Sequence, residues 1–229
     1  MNDIRTITLD LDDTLWEIHP VIRRAEEQLY AWIGEHYPRI TERFAPEDIH
    51  EVRLEVFAEY RDRSHDLTFM RRTVLSRIAT TAGYDDGYVD EAFAVFEEAR
   101  NDVTLYPEAR PALLSLRERY VLIAVTNGNA NLEKIGIRNL FDGVVSAAMA
   151  GAAKPARPIF DMAVAAGGAS AAQTLHVGDH PFYDVHGARD AGLRTVWVNR
   201  KGHDWPDEYP LPDAEVQHIG ELLRLLEEY

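Results

Sequence analysis

The 229 residues carry a formal charge of −15, are 46% apolar and include no cysteine. That balance excludes a broad basic face for a nucleic-acid polymer, and the missing cysteines exclude disulfides, thiolate metal sites and a cysteine nucleophile. The apolar share supports a sizeable core, the length suits one large domain or a core with a smaller lid, and with no bilayer-length apolar run and no signal peptide read, a cytoplasmic protein with no membrane partner is expected.

The chain opens on Ile4, Ile7, Leu9 and Leu11, a strand-forming run that ends among Asp10, Asp12 and Asp13. Helical spacing then takes over, with Ile22, Ala25, Leu29, Trp32 and Ile33 on one face. Pro38 and Thr41-Glu42-Arg43 break that pattern, and Pro46 suits the first turn of a second helix carrying Ile49, Val52, Val56 and Tyr60. Asp66 is placed to cap a third helix bearing Leu67, Met70, Val74 and Ile78, and a turn at 84–87 leads to a fourth with Val89, Ala92, Phe93 and Phe96. Residues 16–104 therefore read as an all-helical domain of about four helices, inserted between residues 1–15 and 105–229 of a discontinuous α/β core.

From there strands and helices alternate. A helix over 107–119 precedes the continuous apolar run 120–125, as a central parallel strand requires. Thr126-Asn127-Gly128-Asn129 follows it, with Asn129 as the expected cap of a short helix over Leu132–Ile135. Further strands are expected at Gly143–Ser146, 174–177 and Arg194–Val198, with helices over 159–166, 188–191 and 219–229. Gly192 reads as a helix stop. The alternation predicts a doubly wound parallel sheet.

In such a sheet chemistry collects at the carboxyl ends of strands. Asp10 and Asp12, two apart, would project to one side, and adjacent carboxylates need a cation or a shared proton. An oxygen-rich acidic cluster suits Mg²⁺. Asp179 ends another strand, Thr126 and Asn127 a third, and Lys154 lies on a loop. With a small phosphorylated substrate in that mouth, Asp10 would serve as nucleophile and Asp12 as acid and base. Asp10 and Asp179 would share Mg²⁺, Thr126, Asn127 and backbone N–H groups would hold the phosphate, and Lys154 would balance charge. Asp184 would orient a metal-bound water. Asn127 also fits an ordinary Asn-Gly turn. Trp16, His19, Arg71 and Arg72 are candidate substrate contacts, weighed against packing and surface ion pairing, while His176 reads as a satisfied core histidine.

Taken in order, Asp10-Leu11-Asp12-Asp13-Thr14-Leu15, Thr126-Asn127, Lys154-Pro155 and Gly178-Asp179 with Asp184 resemble the four motifs of the haloacid dehalogenase (HAD) superfamily. The helical insertion resembles that family's C1-type cap. The resemblance implies a Rossmann-like core, an aspartyl-phosphate intermediate on Asp10, an acid/base at Asp12 whose backbone carbonyl also meets Mg²⁺, and a metal carboxylate at Asp179. His19-Pro20-Val21-Ile22-Arg23-Arg24, His65-Asp66-Leu67-Thr68 and Thr126-Asn127-Gly128-Asn129-Ala130 are similar to bacterial flavin mononucleotide phosphatases. One departure is Arg157, with proline one place later at Pro158. A Mg²⁺-dependent phosphatase of a nucleotide-like or sugar phosphate is the leading expectation. A phosphomutase, a 2-haloacid dehalogenase and a non-catalytic phospho-ligand binder are the rivals. A departing halide needs no proton, which would leave Asp12 without a role.

Overall fold

The computed structural model describes residues 3–227. Among them, β1 (Thr6–Leu9), β2 (Val121–Thr126), β3 (Gly143–Ser146), β4 (Thr174–Gly178), β5 (Arg194–Val198) and β6 (Ala214–Val216) form one parallel sheet in the order β3-β2-β1-β4-β5-β6. The first five helices are α1 (Ile18–His36), α2 (Pro38–Arg43), α3 (Pro46–Glu59), α4 (Leu67–Thr81) and α5 (Val89–Asn101). They are followed by α6 (Ala109–Leu116), α7 (Leu132–Ile135), α8 (Ala147–Ala150), α9 (Arg157–Gly167), α10 (Gly187–Asp190) and α11 (Leu222–Glu227).

β1 is central because all four of its residues are buried, as a strand covered on both faces requires. Leu9 stands beside Ala124 on one side and Val177 on the other. The chain therefore leaves the sheet at Asp10 level with the ends of β2 and β4. Strand order runs outward in both directions from β1, and such a switch point leaves a crevice at the carboxyl ends.

Short elements account for the differences from the sequence reading. Pro38, read as a break, instead opens α2, where its fixed φ fits the first turn and its missing N–H costs nothing. The polar stretch after it is helical, with Ile40 buried. α8 is a single turn capped by Ser146 Oγ, which accepts from the Met149 N–H at 3.3 Å. β6 is three residues long, too short to show alternation. The helix read over 107–119 is limited to α6, and the closing helix is a 3₁₀ turn (Ile219–Glu221) followed by α11. Glu228 and Tyr229 of that expectation lie outside the described residues. Asp66 caps α4 by accepting from the Phe69 N–H at 2.9 Å, and Gly192 takes φ +88° after α10.

Contacts divide the chain into two compact units. One comprises the described chain up to Glu17, Thr104–Gly128 and everything described from Gly136. It holds the sheet, with Ile123, Val125, Val145, Ile159, Phe160 and Ala163 in one of its cores. The other comprises Ile18–Val103 with Asn129–Ile135. In it Ala25, Leu29 and Ile33 of α1 share a core with Leu75 and Ile78 of α4 and Phe96 of α5, while Val56 of α3 packs with Met70 and Val74. The segment 129–135, read from sequence as part of the α/β region, groups with the helices. Lys134 pairs with Glu97 at 2.9 Å, and the Asn131 N–H donates to Asn101 Oδ1 at 2.7 Å.

Candidate active site

The site lies in the α/β unit, on the ends of β1, β2 and β4. Asp10 continues β1, its N–H donating to the Val177 carbonyl at 2.9 Å. Its carboxylate is almost wholly buried. Thr14 Oγ1 donates to Oδ2 at 3.2 Å and Lys154 Nζ to Oδ1 at 2.5 Å. The same ammonium donates to Asp184 Oδ1 at 2.6 Å and to the Val125 carbonyl at 3.2 Å, which uses all three of its protons. Burial opposes the Lys154 charge, but Asp10 and Asp184 outweigh it and hold the lysine pKa above its ordinary value.

Asp184 is reached through a π-helical turn, Pro181–His186, in which the Val185 N–H bonds to the His180 carbonyl five residues back. The His180 N–H donates to Asp184 Oδ2 at 2.9 Å, and His180 Nδ1 accepts from the Phe182 and Tyr183 N–H groups. Burial works against the Asp184 charge, yet Lys154 and then His176 leave its carboxyl well below the usual carboxylate range.

His176 is buried beneath this pair, Nε2 3.1 Å from Asp184 Oδ1 and Nδ1 2.8 Å from Thr8 Oγ1. Thr8 and His176 are register partners on β1 and β4. Burial lowers the histidine pKa against the pull of Asp184, which favours the neutral ring. An Nε2–H facing the carboxylate then leaves Nδ1 to accept from the Thr8 hydroxyl. The residue read as a satisfied core histidine is satisfied, and part of what satisfies it is Asp184. Its signal in the sequence was a polar residue inside an apolar strand.

Asp12 is half-buried on the turn beyond β1. Trp16 Nε1 donates to its Oδ1 at 3.0 Å. Trp16, a candidate substrate contact, is fully buried. Asn127 spends its side chain on the lysine loop: Nδ2 donates to the Lys154 carbonyl at 3.0 Å and Oδ1 accepts the Lys154 N–H at 2.7 Å. Thr126 Oγ1 accepts the Gly128 N–H at 2.9 Å. Asp179 is held through its backbone, where Trp197 Nε1 donates to its carbonyl at 2.7 Å. Nothing local to either residue announces that bond. The helix expected to be capped by Asn129 is capped by Asn131, whose Oδ1 accepts from the Glu133 N–H at 3.0 Å. Pro158, one place later than the family pattern has it, falls in the first turn of α9.

The other candidates lie in the helical unit. Arg71 is paired with Glu26 at 2.8 Å and stacked on the Phe96 ring, and Arg72 is paired with Asp90. Both guanidinium groups are engaged within that unit, whereas His19 is exposed in the first turn of α1.

Asp10, Asp179 and Asp184 each bring a carboxylate oxygen within 4.8 Å of the others. Burial raises the Asp179 pKa to about 8, with Asp10 and Asp184 adding to the rise. Burial likewise raises Asp10 to about 7, with Lys154 opposing and Asp184 adding. Lys154 is shared between Asp10 and Asp184, so one ammonium faces three carboxyl groups and the set carries surplus negative charge once they ionise. An all-oxygen set with surplus negative charge fits a hard divalent cation such as Mg²⁺.

A family model described as haloacid dehalogenase-like hydrolase matches residues 4–192. The 5-amino-6-(5-phospho-D-ribitylamino)uracil phosphatase YigB of Escherichia coli is 28% identical, over 97% of this chain and 96% of that protein. A phosphoserine phosphatase of Thermus thermophilus is 31% identical, over 96% and 98%. The crystal structure of a 2-haloacid dehalogenase from Pseudomonas syringae is 35% identical with a TM-score of 0.93, covering 98% of this chain and 99% of that one.

Proposed function

Since this chain belongs to the haloacid dehalogenase-like hydrolases, we propose that it is a Mg²⁺-dependent phosphatase of a small organic phosphomonoester. The observation that carries the reading is the Asp12 carboxyl, half-buried two residues beyond Asp10, held at Oδ1 by the Trp16 indole and near enough to Asp10 to add to its raised pKa. Asp10 attacks phosphorus, the bond to the ester oxygen breaks, and Asp12 gives its proton to the departing alkoxide. Asp12, now ionised, takes a proton from the water that attacks the aspartyl phosphate. Inorganic phosphate leaves and Asp10 is restored. Lys154 holds the nucleophile in place and balances charge, while the Thr126 hydroxyl and nearby N–H groups hold the phosphoryl oxygens. Mg²⁺, held by Asp10, Asp179 and the Asp12 carbonyl, would offset repulsion between the carboxylates and the phosphoryl group. Asp184 steadies Lys154 and would orient water at the metal site.

The relative acting on a phosphorylated ribitylaminouracil supports a ribityl phosphate on a heterocycle as the substrate class. Flavin mononucleotide shares that group and is the first substrate to test. The similarity to a 2-haloacid dehalogenase favours a second reading, halide displacement by Asp10. In that reaction Asp12 would be idle, because the halide leaves unprotonated.

The test is phosphate release from a panel of monoesters including flavin mononucleotide, with and without Mg²⁺, beside chloride release from 2-chloropropionate. Expected is Mg²⁺-dependent phosphate release that falls by at least about 1,000-fold in Asp10→Asn. Chloride release without phosphate release would establish the dehalogenase reading instead.

A further inference from the structure

We infer that Trp16 is the residue that aims Asp12, and that it thereby selects which Asp12 oxygen delivers the proton to the leaving group. The inference rests on the phosphatase reading above.

Trp16 lies four residues beyond Asp12, and the chain doubles back between them. Asp13 adopts φ +62°, in the left-handed region that non-glycine residues seldom enter. Its N–H donates to the Trp16 carbonyl at 2.7 Å. Residues 12 and 16 pair as a bridge, and Trp16 pairs in turn with Leu105. The Tyr106 N–H donates to the Leu15 carbonyl at 2.9 Å, which ties the returning strand down. This frame brings the buried indole to the carboxylate, where Nε1–H donates to Oδ1 at 3.0 Å.

Packing alone would account for a buried ring. It does not account for the partner chosen by the N–H, since a backbone carbonyl satisfies a buried indole equally well. The chemistry of that partner matters here. An indole nitrogen donates one hydrogen and accepts none. Oδ1 is therefore held as an acceptor, and because the carbonyl oxygen of a carboxylic acid accepts better than its hydroxyl oxygen, a proton on Asp12 is favoured on Oδ2. The terminal torsion of an aspartate is broad and nearly two-fold, and this bond favours one of its two settings. An acid works only when its O–H lies within reach of the atom it protonates. Trp16 is thus a positioning residue acting through Asp12.

Trp16→Phe keeps an aromatic ring and removes only the donor. Its kcat/KM would be compared with wild type, in Mg²⁺, on two classes of ester. One is 4-nitrophenyl phosphate, whose phenolate departs without a proton. The other is flavin mononucleotide or, if that is not turned over, the alkyl ester that heads the panel. Expected is a fall of about 10–100-fold on the alkyl ester, with 4-nitrophenyl phosphate within about 3-fold of wild type. Equal losses on both esters would mean that Trp16 serves the fold alone, and no loss on the alkyl ester would mean that Asp12 needs no such aim; either overturns the inference. Wild type that releases phosphate from neither ester would instead bring down the phosphatase reading, and the role of Trp16 with it.

Should Trp16→Phe fail to fold, the four tryptophans allow a second measurement. In ¹⁵N-indole spectra Asp12→Ala is expected to shift one Nε1–H resonance and speed its exchange. Four unmoved resonances would overturn the inference.

Discussion

Asp179 and Asp10 are acids kept partly uncharged by their surroundings, and Asp184 is the reverse. Asp184 lies below the usual range, so the stability it contributes is present above ordinary carboxylate pH and is lost only in strong acid. Asp10 and Asp179 are raised, first by burial, to about 7 and about 8. Between about pH 4 and those values the folded chain keeps protons that the unfolded chain has released, so stability falls as pH rises through that window. Metal-free protein is therefore expected to melt at a lower temperature near pH 8.5 than near pH 5. Asp179→Asn is expected to flatten that fall, raising stability at the alkaline end by at least about 1 kcal/mol. Thermal melts in chelator at both pH values check it, and an identical pH slope in the two proteins would refute it. The acids themselves could be read from the sequence, because carboxylates after apolar runs are a local pattern. Their unequal environments could not, because burial and the reach of Lys154 are set by residues far along the chain.

β4 and the π-helical turn behind it work as one element. Gly178 closes the strand with no side chain, and a Cβ there would lie 2.3 Å from Asp184 Cγ and 2.6 Å from its Cβ. Asp184 has little room to yield, since Lys154, His176 and the His180 N–H hold both of its oxygens. Gly178→Ala is accordingly expected to cost about 1–3 kcal/mol through overpacking. It should also cut phosphate release by more than 10-fold, because displacing Asp184 loosens Lys154. Urea unfolding and single-turnover rates test the two parts, and unchanged values in both would show that Asp184 can move. The strand was legible from its apolar run and its Gly-Asp ending. The π-helical turn was not, since its extra residue leaves no periodic trace in six positions. Pro38 shows the same limit: a proline that ends one helix and a proline that starts another look alike until the fold places them.

At the scale of the molecule, two units with separate cores share one chain that passes between them more than once. Phe96 is a large buried ring of the helical unit, packed with Leu29, Ile33 and Ile78 and covered by the Arg71 guanidinium, which Glu26 holds. Phe96→Ala is expected to cost about 3–5 kcal/mol. Hydrogen exchange should locate the loss in α1, α4 and α5, with protection of β1, β2 and β4 retained. Equal loss in the sheet would show that the two cores unfold as one. Periodicity announced the helical insertion and its buried stripe. It did not announce that 129–135, which follows β2 in the chain, would join the helices through Asn131 and Lys134.

What the sequence determined by itself was the order of the parts: acids after the first strand, Thr126 after the second, Lys154 on a loop, Asp179 after a later strand, and a helical stretch inserted near the start. These are properties of near neighbours, where hydrophobic period and strand-ending polar residues leave a direct trace. Tertiary structure alone decided which side chains meet. Asn127 braces the Lys154 backbone, His176 backs Asp184, Trp197 holds the Asp179 carbonyl, and Trp16 turns inward to Asp12. Each of these rests on one or two hydrogen bonds of about 3 Å. Whether it forms depends on strand register and turn geometry to within a fraction of that distance, and no pattern of residue types carries that precision.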